Sequence, residues 1–395
     1  MSSPPVPDDF PLRLSRRFRR QQTFAVGYAP LSSRVCGLVA DWLETGADRD
    51  PVAAWLLVAG RGRASFDVPL LLLAGLHRAV LAGEPAVAEL ARYYPSAGGT
   101  LDPAGAGFAA VLRAALLALR PQLSAFLGAA TVQTNEVARG LAWLLPACFP
   151  GWPEMHLVEL GASAGLNLVA DWRAFRLVDA AGRPLLADLG RGEGDPFVVE
   201  VAGEGPRRCP HPLPQVLSRT GCDLAPLDLT VAGDAQTLAA FVWADQTDRL
   251  ALLRRGMDSF HRAHRQGARV RLHRVDLPSG LTGFFNEHVA FPGDAPILVS
   301  NTYLTTYLQG RGADLRPQLA AWAAGQPRPV LWLQWETLWQ GPRPPEFGWL
   351  GWTADLWQQG GHRHWQLAWV QPHGARVQWL PGLAEWARFW RDRGR

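Results

Sequence analysis

From Trp152 onward, short apolar runs alternate with segments of helical periodicity. Predicted helices separate successive runs, which read HLVEL, VLSRTGCDLAPLDL, RVRLHRVDL, APILVSN and RPVLWLQWE. This alternation is typical of βαβ units, whose strands run parallel in one sheet with helices on its faces. We therefore predict an α/β fold for this part of the chain.

The chain before this alternation has only helical patterns. Apolar residues recur at three- and four-residue spacing from about 13 to 147, and no convincing strand interrupts them. We predict a disordered tail over 1–12, an all-helical N-terminal cap domain over 13–130 and the α/β domain over 131–395. A stretch rich in Gly and Pro at about 176–215 predicts a β-ribbon insertion over the sheet edge.

The chain closes with HWQLAWVQPHGARVQWL, two apolar runs that meet at Pro372-His373-Gly374. Three residues are too few for a helical crossover, so the two strands form an antiparallel hairpin. The predicted sheet is therefore mostly parallel, with an antiparallel hairpin at its C-terminal end.

Every basic residue is Arg, and the sequence contains no Lys. A Schiff-base lysine and a phosphate-loop lysine are therefore both excluded, and with them pyridoxal enzymes and Walker-type nucleotide hydrolases. The formal net charge of +4 is too small to indicate a nucleic-acid partner. We expect a small-molecule substrate instead, and the oligomeric state stays open.

The sequence also predicts where in the cell the protein is located. The N-terminus has no apolar core after its charges, and His77 and Arg78 interrupt the longest apolar run before it reaches membrane-spanning length. The four cysteines form no C-x-x-C pair, and Cys209, His211 and Cys222 match no zinc spacing. We predict a cytoplasmic protein without a membrane segment and without a metal.

The stretch MHLVELGASAGLNLVAD reads as a strand, a glycine turn and a helix. Its five central residues spell G-x-S-x-G, the nucleophile elbow of a serine hydrolase with Ser163 as nucleophile. The upstream chain, however, lacks the strands and the HGGG-like oxyanion loop of that fold. A dinucleotide turn would place glycines where Ser163 and Leu166 stand.

Glu159 separates these alternatives, because it ends an apolar strand two residues before Gly161. Burying a carboxylate there costs several kcal/mol without a partner, and an acyl-transfer elbow has no use for it. The arrangement from Glu159 to Gly165 resembles the first motif of class I S-adenosylmethionine-dependent methyltransferases, with Ser163 at the usual middle glycine. The resemblance implies a Rossmann-like domain in which Glu159 holds the loop and the methionine amine. It also implies that the cofactor lies against a turn that includes Asn167.

Two later strand ends extend the resemblance. Asp223 follows Gly221-Cys222, where such proteins use an acid for the ribose hydroxyls, and Asp276 stands where a polar group meets the adenine amine. All three acids end successive strands and are expected along one sheet edge. The separation of Gly161 from Asp223 is about three times the usual ~20 residues, an excess that the insertion accounts for. Three unrelated loop acids remain the alternative interpretation.

The string TVQTNEVARG is predicted to open the last helix before the first strand, with Thr134 as its cap. If that helix packs antiparallel to the strand, Gln133, Asn135, Glu136 and Arg139 face the cofactor, and Arg139 pairs with its methionine carboxylate. Capping plus a surface ion pair is the competing interpretation.

Three further residues are candidates for the chemistry itself. His373 in the hairpin turn is a possible base, needed only when the acceptor must lose a proton. Asn301 and Tyr303 follow the fourth parallel strand as possible substrate contacts. A solvated turn histidine and a capping asparagine explain the same residues without catalysis.

The sequence leaves three functions open. A methyltransferase is the first, and a noncatalytic binding or scaffold protein on the same fold is the second. Side chains that fill the space over Gly161 would favour the second. A serine hydrolase that uses Ser163 and His373 is the third.

The chain is also identified as a member of an uncharacterised bacterial family known only as a domain of unknown function. The resemblance covers nearly the whole length and implies a methyltransferase-like core with a helical N-terminal region. It depends on specific strings in a fixed order, namely HRAVLAG, YYPSAGG, VQTNEVARG, ELGASAGLNL, GCDLAPLDL, WADQTDRL and PHG.

Overall fold

The computed structural model describes residues 9–134, 136–308, 310–338 and 343–393. Its α-helices are α1 Phe10–Ala25, α2 Pro30–Thr45, α3 Pro51–Ala59, α4 Asp67–Leu81, α5 Ala88–Ala91, α6 Phe108–Ala118, α7 Arg120–Ala129, α8 Leu141–Leu144, α9 Ala232–Ala240, α10 Thr247–Arg265, α11 Leu281–His288, α12 Leu315–Ala324 and α13 Pro381–Arg393. Its 3-10 helices are Pro85–Val87, Pro95–Ala97, Val137–Gly140, Pro146–Cys148, Asn167–Trp172, Thr305–Leu308 and Arg311–Asp314. Its strands are β1 Glu154–Leu160, β2 Phe175–Val178, β3 Pro184–Leu189, β4 Phe197–Ala202, β5 Gln215–Asp223, β6 Val270–Arg274, β7 Ile297–Thr302, β8 Val330–Glu336, β9 Leu350–Gln358, β10 Gly361–Val370 and β11 Arg376–Trp379.

The chain divides into two compact units. The first comprises the described residues of 1–135 together with 230–254, and the second comprises 136–229 and 255–395. The first unit is helical, and its core packs apolar side chains of α1–α4, α6 and α7. The segment 230–254, which the sequence prediction assigned to the α/β domain, belongs to this helical unit. The predicted domain boundary near residue 130 therefore leaves one segment of the helical unit, 230–254, on the side assigned to the α/β domain.

Two long-range contacts explain why 230–254 joins the helices. The Asp245 carboxylate accepts hydrogen bonds from the amides of Leu31 and Ser32, at 2.8 and 3.1 Å, and so caps α2. The buried His77 ring lies 3.1 Å from Ala240 O. Neither long-range contact is visible in the local pattern.

Two predicted boundaries in this unit are wrong. α1 begins at Phe10, inside the predicted disordered tail 1–12, of which residues 1–8 lie outside the described part. The sequence pattern predicts one long helix over 235–264, but the structure has two helices there, α9 and α10, separated at 241–246.

The second unit is built on one sheet. Its described strands have the order β3-β2-β4-β11-β10-β9-β8-β7-β1-β5-β6. The five strands β6-β5-β1-β7-β8 are all parallel, while β9, β10 and β11 continue as an antiparallel meander. The predicted α/β class with a mostly parallel sheet and a C-terminal antiparallel hairpin is confirmed.

The direction in which strands are added reverses at β1. From β1 the chain adds β5 and β6 on one side, and then β7 and β8 on the other. Ligands of open parallel sheets bind at such a switch point, outside the carboxyl ends of the two strands that flank it. The register there pairs Glu159 of β1 with Ser300 of β7 and with Gly221 of β5.

The sheet differs from the prediction in two ways. The insertion does not lie over the sheet edge as a ribbon. Its strands β2 and β4 pair with each other, and β4 joins the sheet by pairing with β11. The sequence prediction also missed β9, which lies between β8 and β10.

Side-chain alternation assigns the two faces of the sheet near β1. Val158 and Leu160 pack into an apolar layer with Phe284 of α11 and Leu319 of α12. Successive side chains of a strand point to opposite faces, so Glu159 points away from that layer.

No single helix of the described residues is both long and apolar enough to cross a bilayer; two bent helix pairs reach that length and composition only jointly.

Candidate functional site

Glu159 is a buried carboxylate with one of its two oxygens unpartnered in the described part of the chain. Its side chain is 3% exposed, and Oε1 accepts a hydrogen bond from Asn167 Nδ2 at 3.2 Å. Oε2 is buried and has no hydrogen-bond partner within the described part of the chain. Burial raises the pKa of Glu159 to about 8, although the Asn167 hydrogen bond and the charge of Arg173 oppose the rise. Glu159 therefore favours its protonated form near neutral pH.

The glycine turn after β1 is anchored by Asp223. The amides of Gly161 and Ala162 both donate to Cys222 O, at 2.8 and 2.9 Å, and the Ser163 amide donates to Asp223 Oδ2 at 2.9 Å. Ser163 has φ +51°, a left-handed conformation that is strained for a side-chain-bearing residue. The acid predicted to contact ribose thus also stabilises the turn.

Gly161 has φ +73°, and a Cβ built there would lie 2.9 Å from Leu304 Cδ1. A larger residue would be strained in the backbone and would collide with this buried leucine. The side of Gly161 that faces Leu304 is therefore filled by an apolar side chain.

The segment after the turn is not the predicted α-helix. It forms the 3-10 helix Asn167–Trp172, with non-helical angles at Val169. Two guanidinium groups account for the difference, since Arg173 donates to Leu166 O and Arg219 donates to Leu168 O. These carbonyls would otherwise accept α-helical bonds.

Arg173 and Arg219 are buried and their charges are compensated nearby. Arg219 makes a two-bond pair with Asp171, both distances being 2.7 Å. Arg173 also donates to Val137 O, and its Nε has no partner among the described residues. Burial lowers the pKa of Arg173 to about 10, an effect that the charges of Glu159 and Asp171 oppose. The sequence prediction did not include Arg173.

Arg139 supplies a third buried guanidinium, 4% exposed. Its Nε donates to Pro372 O at 2.9 Å, and its Cζ lies 5.0 Å from the centroid of the Tyr303 ring. NH1 is buried and unpartnered within the described ranges. Burial lowers the pKa of Arg139, against the charge of Glu136. Arg139 thus joins the hairpin turn to the end of β7.

Gly140 allows the Arg139 segment to approach the 3-10 helix that follows the glycine turn. A Cβ there would lie 2.4 Å from Ala170 Cβ and 3.5 Å from Asn167 Oδ1. The helical segment begins at Val137, not at Thr134, so the predicted Thr134 cap is wrong. Asn135 lies outside the described residues. Gln133 belongs to the other unit, and its predicted role stays a prediction.

Tyr303 and His373 flank Arg139. Tyr303 has φ +60° and packs edge-on against Tyr307 at 5.9 Å between ring centroids. His373 is half-exposed, and its Nδ1 lies 3.5 Å from Glu136 Oε1. The structure therefore brings together the end of β7, the hairpin turn and the 136–139 segment.

Asn301 is fully buried and both ends of its amide are engaged. Oδ1 accepts from Trp332 Nε1 at 2.6 Å, and Nδ2 donates to Glu336 Oε1 at 2.7 Å. Asn301 shares a sheet face with Val299 of the α11–α12 layer, opposite to the face of Glu159. A direct contact of Asn301 with substrate is therefore not what this geometry supports.

Glu336 holds the loop that carries Tyr303. Besides Asn301, its carboxylate accepts from the amides of Leu304 and Thr305 at 2.7 and 3.1 Å, and from the Thr305 hydroxyl at 2.6 Å. These bonds keep the left-handed Tyr303 backbone in place.

Asp276 does not join the Glu159 cluster. It follows β6, two strands from β1 and thus about 10 Å away. Its exposed carboxylate lies 3.3 Å from Arg311 NH2. The predicted adenine contact stays a prediction.

A second polar cluster, centred on Asp355 of β9, was missed. His362 Nε2 and His364 Nδ1 each lie 2.9 Å from its Oδ1, and Arg316 makes two bonds of 3.1 Å. Burial raises the pKa of Asp355, but the hydrogen bonds from His364 and Arg316 outweigh it and leave the pKa lowered. The cluster joins β9, β10 and α12. No metal-binding group of three or more ligands occurs among the described residues.

The family "Uncharacterized protein conserved in bacteria (DUF2332)" has a model that matches residues 15–379, so the chain belongs to that family. This confirms the family membership that the motifs predict. No curated protein and no solved structure matches the chain.

Proposed function

We propose that the second unit binds S-adenosylmethionine at the carboxyl ends of β1 and β7 and transfers its methyl group to a small-molecule acceptor. The site lies at the switch point of the parallel strands, where open α/β sheets bind their ligands. Two non-glycine residues with left-handed backbones, Ser163 and Tyr303, follow these two strands. Such strain is concentrated at functional sites.

The observation that carries the proposal is a set of buried polar atoms without partners in the described part of the chain. Glu159 Oε2 and Asn167 Oδ1 are acceptors, and Arg139 NH1 is a donor. Buried polar groups are rarely left unsatisfied in a native protein, so these atoms are expected to meet a ligand or water.

An α-amino-acid group complements these three atoms. Its ammonium has three N–H donors, which match the oxygens of Glu159 and Asn167. Its carboxylate matches the unpartnered NH1 of Arg139. The methionine end of S-adenosylmethionine carries both groups. An ammonium beside Glu159 would also favour its charged form and remove the cost of its burial.

Asp223 would serve the ribose of the cofactor. Its Oδ2 accepts from the Ser163 amide at 2.9 Å, its Oδ1 accepts from the Ala225 amide at 3.0 Å, and the Leu224 amide also bonds the carboxylate. A carboxylate has about four lone-pair positions, so one remains for a ribose hydroxyl.

The acceptor would meet Tyr303 and His373. Transfer to a nucleophile needs in-line positioning, and a base only where the acceptor loses a proton. His373 is half-exposed beside Glu136 and is our candidate for that base. Asn301 would act by positioning Glu336 and the Tyr303 loop.

Calorimetric titration with S-adenosylhomocysteine tests the proposal. We expect saturable heat for the wild type and at least a tenfold weaker affinity for Glu159→Gln and for Arg139→Gln. The exposed Glu287 supplies the matched control, Glu287→Gln, which should bind as the wild type does. No heat from folded wild type at high micromolar ligand would overturn the proposal.

A noncatalytic binding or scaffold protein is the second candidate, and one observation favours it. Leu304 fills the side of Gly161 that a cofactor could otherwise use. In that case Leu304→Ala, and not the wild type, would bind S-adenosylhomocysteine.

A further inference from the structure

Cys148 and Cys209 come together at the amino-terminal ends of β1 and β5. Cys148 ends the 3-10 helix before β1, and Cys209 lies in the loop between β4 and β5. The His211 amide donates to Cys148 O at 3.1 Å, which holds the two segments side by side. The two thiols are close enough to share a hydrogen bond.

The two sulfurs lie in different surroundings. Cys148 is buried, and its Sγ lies 3.6 Å from Leu144 O. Cys209 is partly exposed and directly follows the exposed Arg207 and Arg208. The hydrogen bond with Cys148 lowers the pKa of Cys209 and raises that of Cys148. Partial exposure and a stabilised thiolate are conditions under which cysteines react.

The other two cysteines lack these conditions. Cys36 and Cys222 are fully buried. Burial raises the pKa of the Cys36 thiol to about 12, and it also raises that of Cys222. They are therefore internal references for any measurement of thiol reactivity.

We propose that Cys209 is a peroxide-reactive thiol and that Cys148 is its resolving partner. The Cys209 thiolate attacks hydrogen peroxide, forming an S–O bond as the O–O bond breaks and hydroxide leaves. The Cys148 thiol then attacks the Cys209 sulfenic acid, forming the disulfide and releasing water. The two thiols supply two electrons, and the peroxide is reduced to two waters.

This modification site is independent of the proposed methyl transfer. Its oxidised form would join the loops that precede β1 and β5, the strands that carry Glu159 and Asp223. The Gln215 amide already donates to Pro153 O at 2.9 Å in the same region, so the disulfide would reinforce an existing contact.

Peptide mass mapping after treatment with one equivalent of hydrogen peroxide tests the proposal on the full chain. Remaining thiols are alkylated before digestion. We expect a linked Cys148–Cys209 peptide pair that has lost two hydrogens, with Cys36 and Cys222 alkylated. In Cys148→Ser, the Cys209 sulfenic acid should persist and be captured by dimedone.

Two controls complete the test. Cys209→Ser should abolish oxidation at Cys148, whereas Cys36→Ser should leave the linked pair unchanged. Alkylation by N-ethylmaleimide should reach Cys209 at least tenfold faster than Cys36 or Cys222. Equal rates, or no linked pair in the wild type, would overturn the proposal whether or not either variant folds.

Discussion

Replacing Glu159 with Gln should make the apo protein more stable at neutral and higher pH. The substitution keeps the shape of the side chain and its acceptor for Asn167, but removes a carboxyl group whose pKa burial raises to about 8 from an ordinary 4.5. A group whose pKa is raised in the folded state contributes its full stability below the unfolded pKa. That contribution is lost as the pH rises towards the folded pKa.

The magnitude follows from the two pKa values. Between pH 4.5 and about 8 the unfolded chain is ionised at this position while the folded chain remains protonated. The wild type therefore loses about 1.4 kcal/mol for each pH unit relative to the variant, and about 5 kcal/mol over the whole interval. All other groups titrate equally in both proteins and cancel in the comparison.

Urea unfolding followed by tryptophan fluorescence at several pH values between 5 and 8.5 measures the effect. The difference in unfolding free energy between Glu159→Gln and wild type should grow steadily with pH, whereas Glu287→Gln should show a constant difference. Parallel curves for Glu159→Gln and wild type would refute the argument that Glu159 is buried without a partner.

Three further predictions concern other positions. Asp355→Asn should lower the unfolding free energy by about 2–3 kcal/mol in urea titrations, because buried Asp355 pairs with a half-exposed Arg316. An unchanged urea midpoint would contradict this prediction. Gly161→Ala should cost about 1–2 kcal/mol from its positive φ alone, and more from contact with Leu304, by the same assay. Ser163, which is 5% exposed, should not react with a fluorophosphonate probe; labelling of wild type but not Ser163→Ala would support the hydrolase instead.

The sequence predicted a strand correctly where an apolar run ended in a polar residue or a turn. β1, β7 and β8 satisfied that condition and were predicted. β9 was missed because Thr353 and Asp355 interrupt its apolar run, although eight of its nine positions are buried. The burial of Asp355 depends on cations from other elements.

The local sequence pattern also predicted the wrong secondary structure where side chains from distant parts of the chain determine the backbone conformation. The segment after the glycine turn has helical spacing, but Arg219, supplied by β5, binds one of its carbonyls. The Thr134 cap was predicted from residue type alone, and the helix begins at Val137 instead.

The candidate site was predictable only where a residue carries a local sequence signal. Glu159 stood out because an acid at the end of an apolar strand is unusual in sequence. Arg173 carries no such local signal. Its proximity to Glu159 depends on how the chain folds back. The position of Asn301 on the sheet face opposite to Glu159 likewise follows only from the register of the strands.

Proton release on binding of S-adenosylhomocysteine tests the central claim most directly. Calorimetry at pH 7 in two buffers of different ionisation enthalpy gives the number of protons released. With a pKa of about 8 for Glu159 in the free protein, an ammonium bound beside it should release about 0.9 proton per site. Binding without proton release, or no binding, would contradict the assignment of Glu159 as the acceptor of the methionine amine.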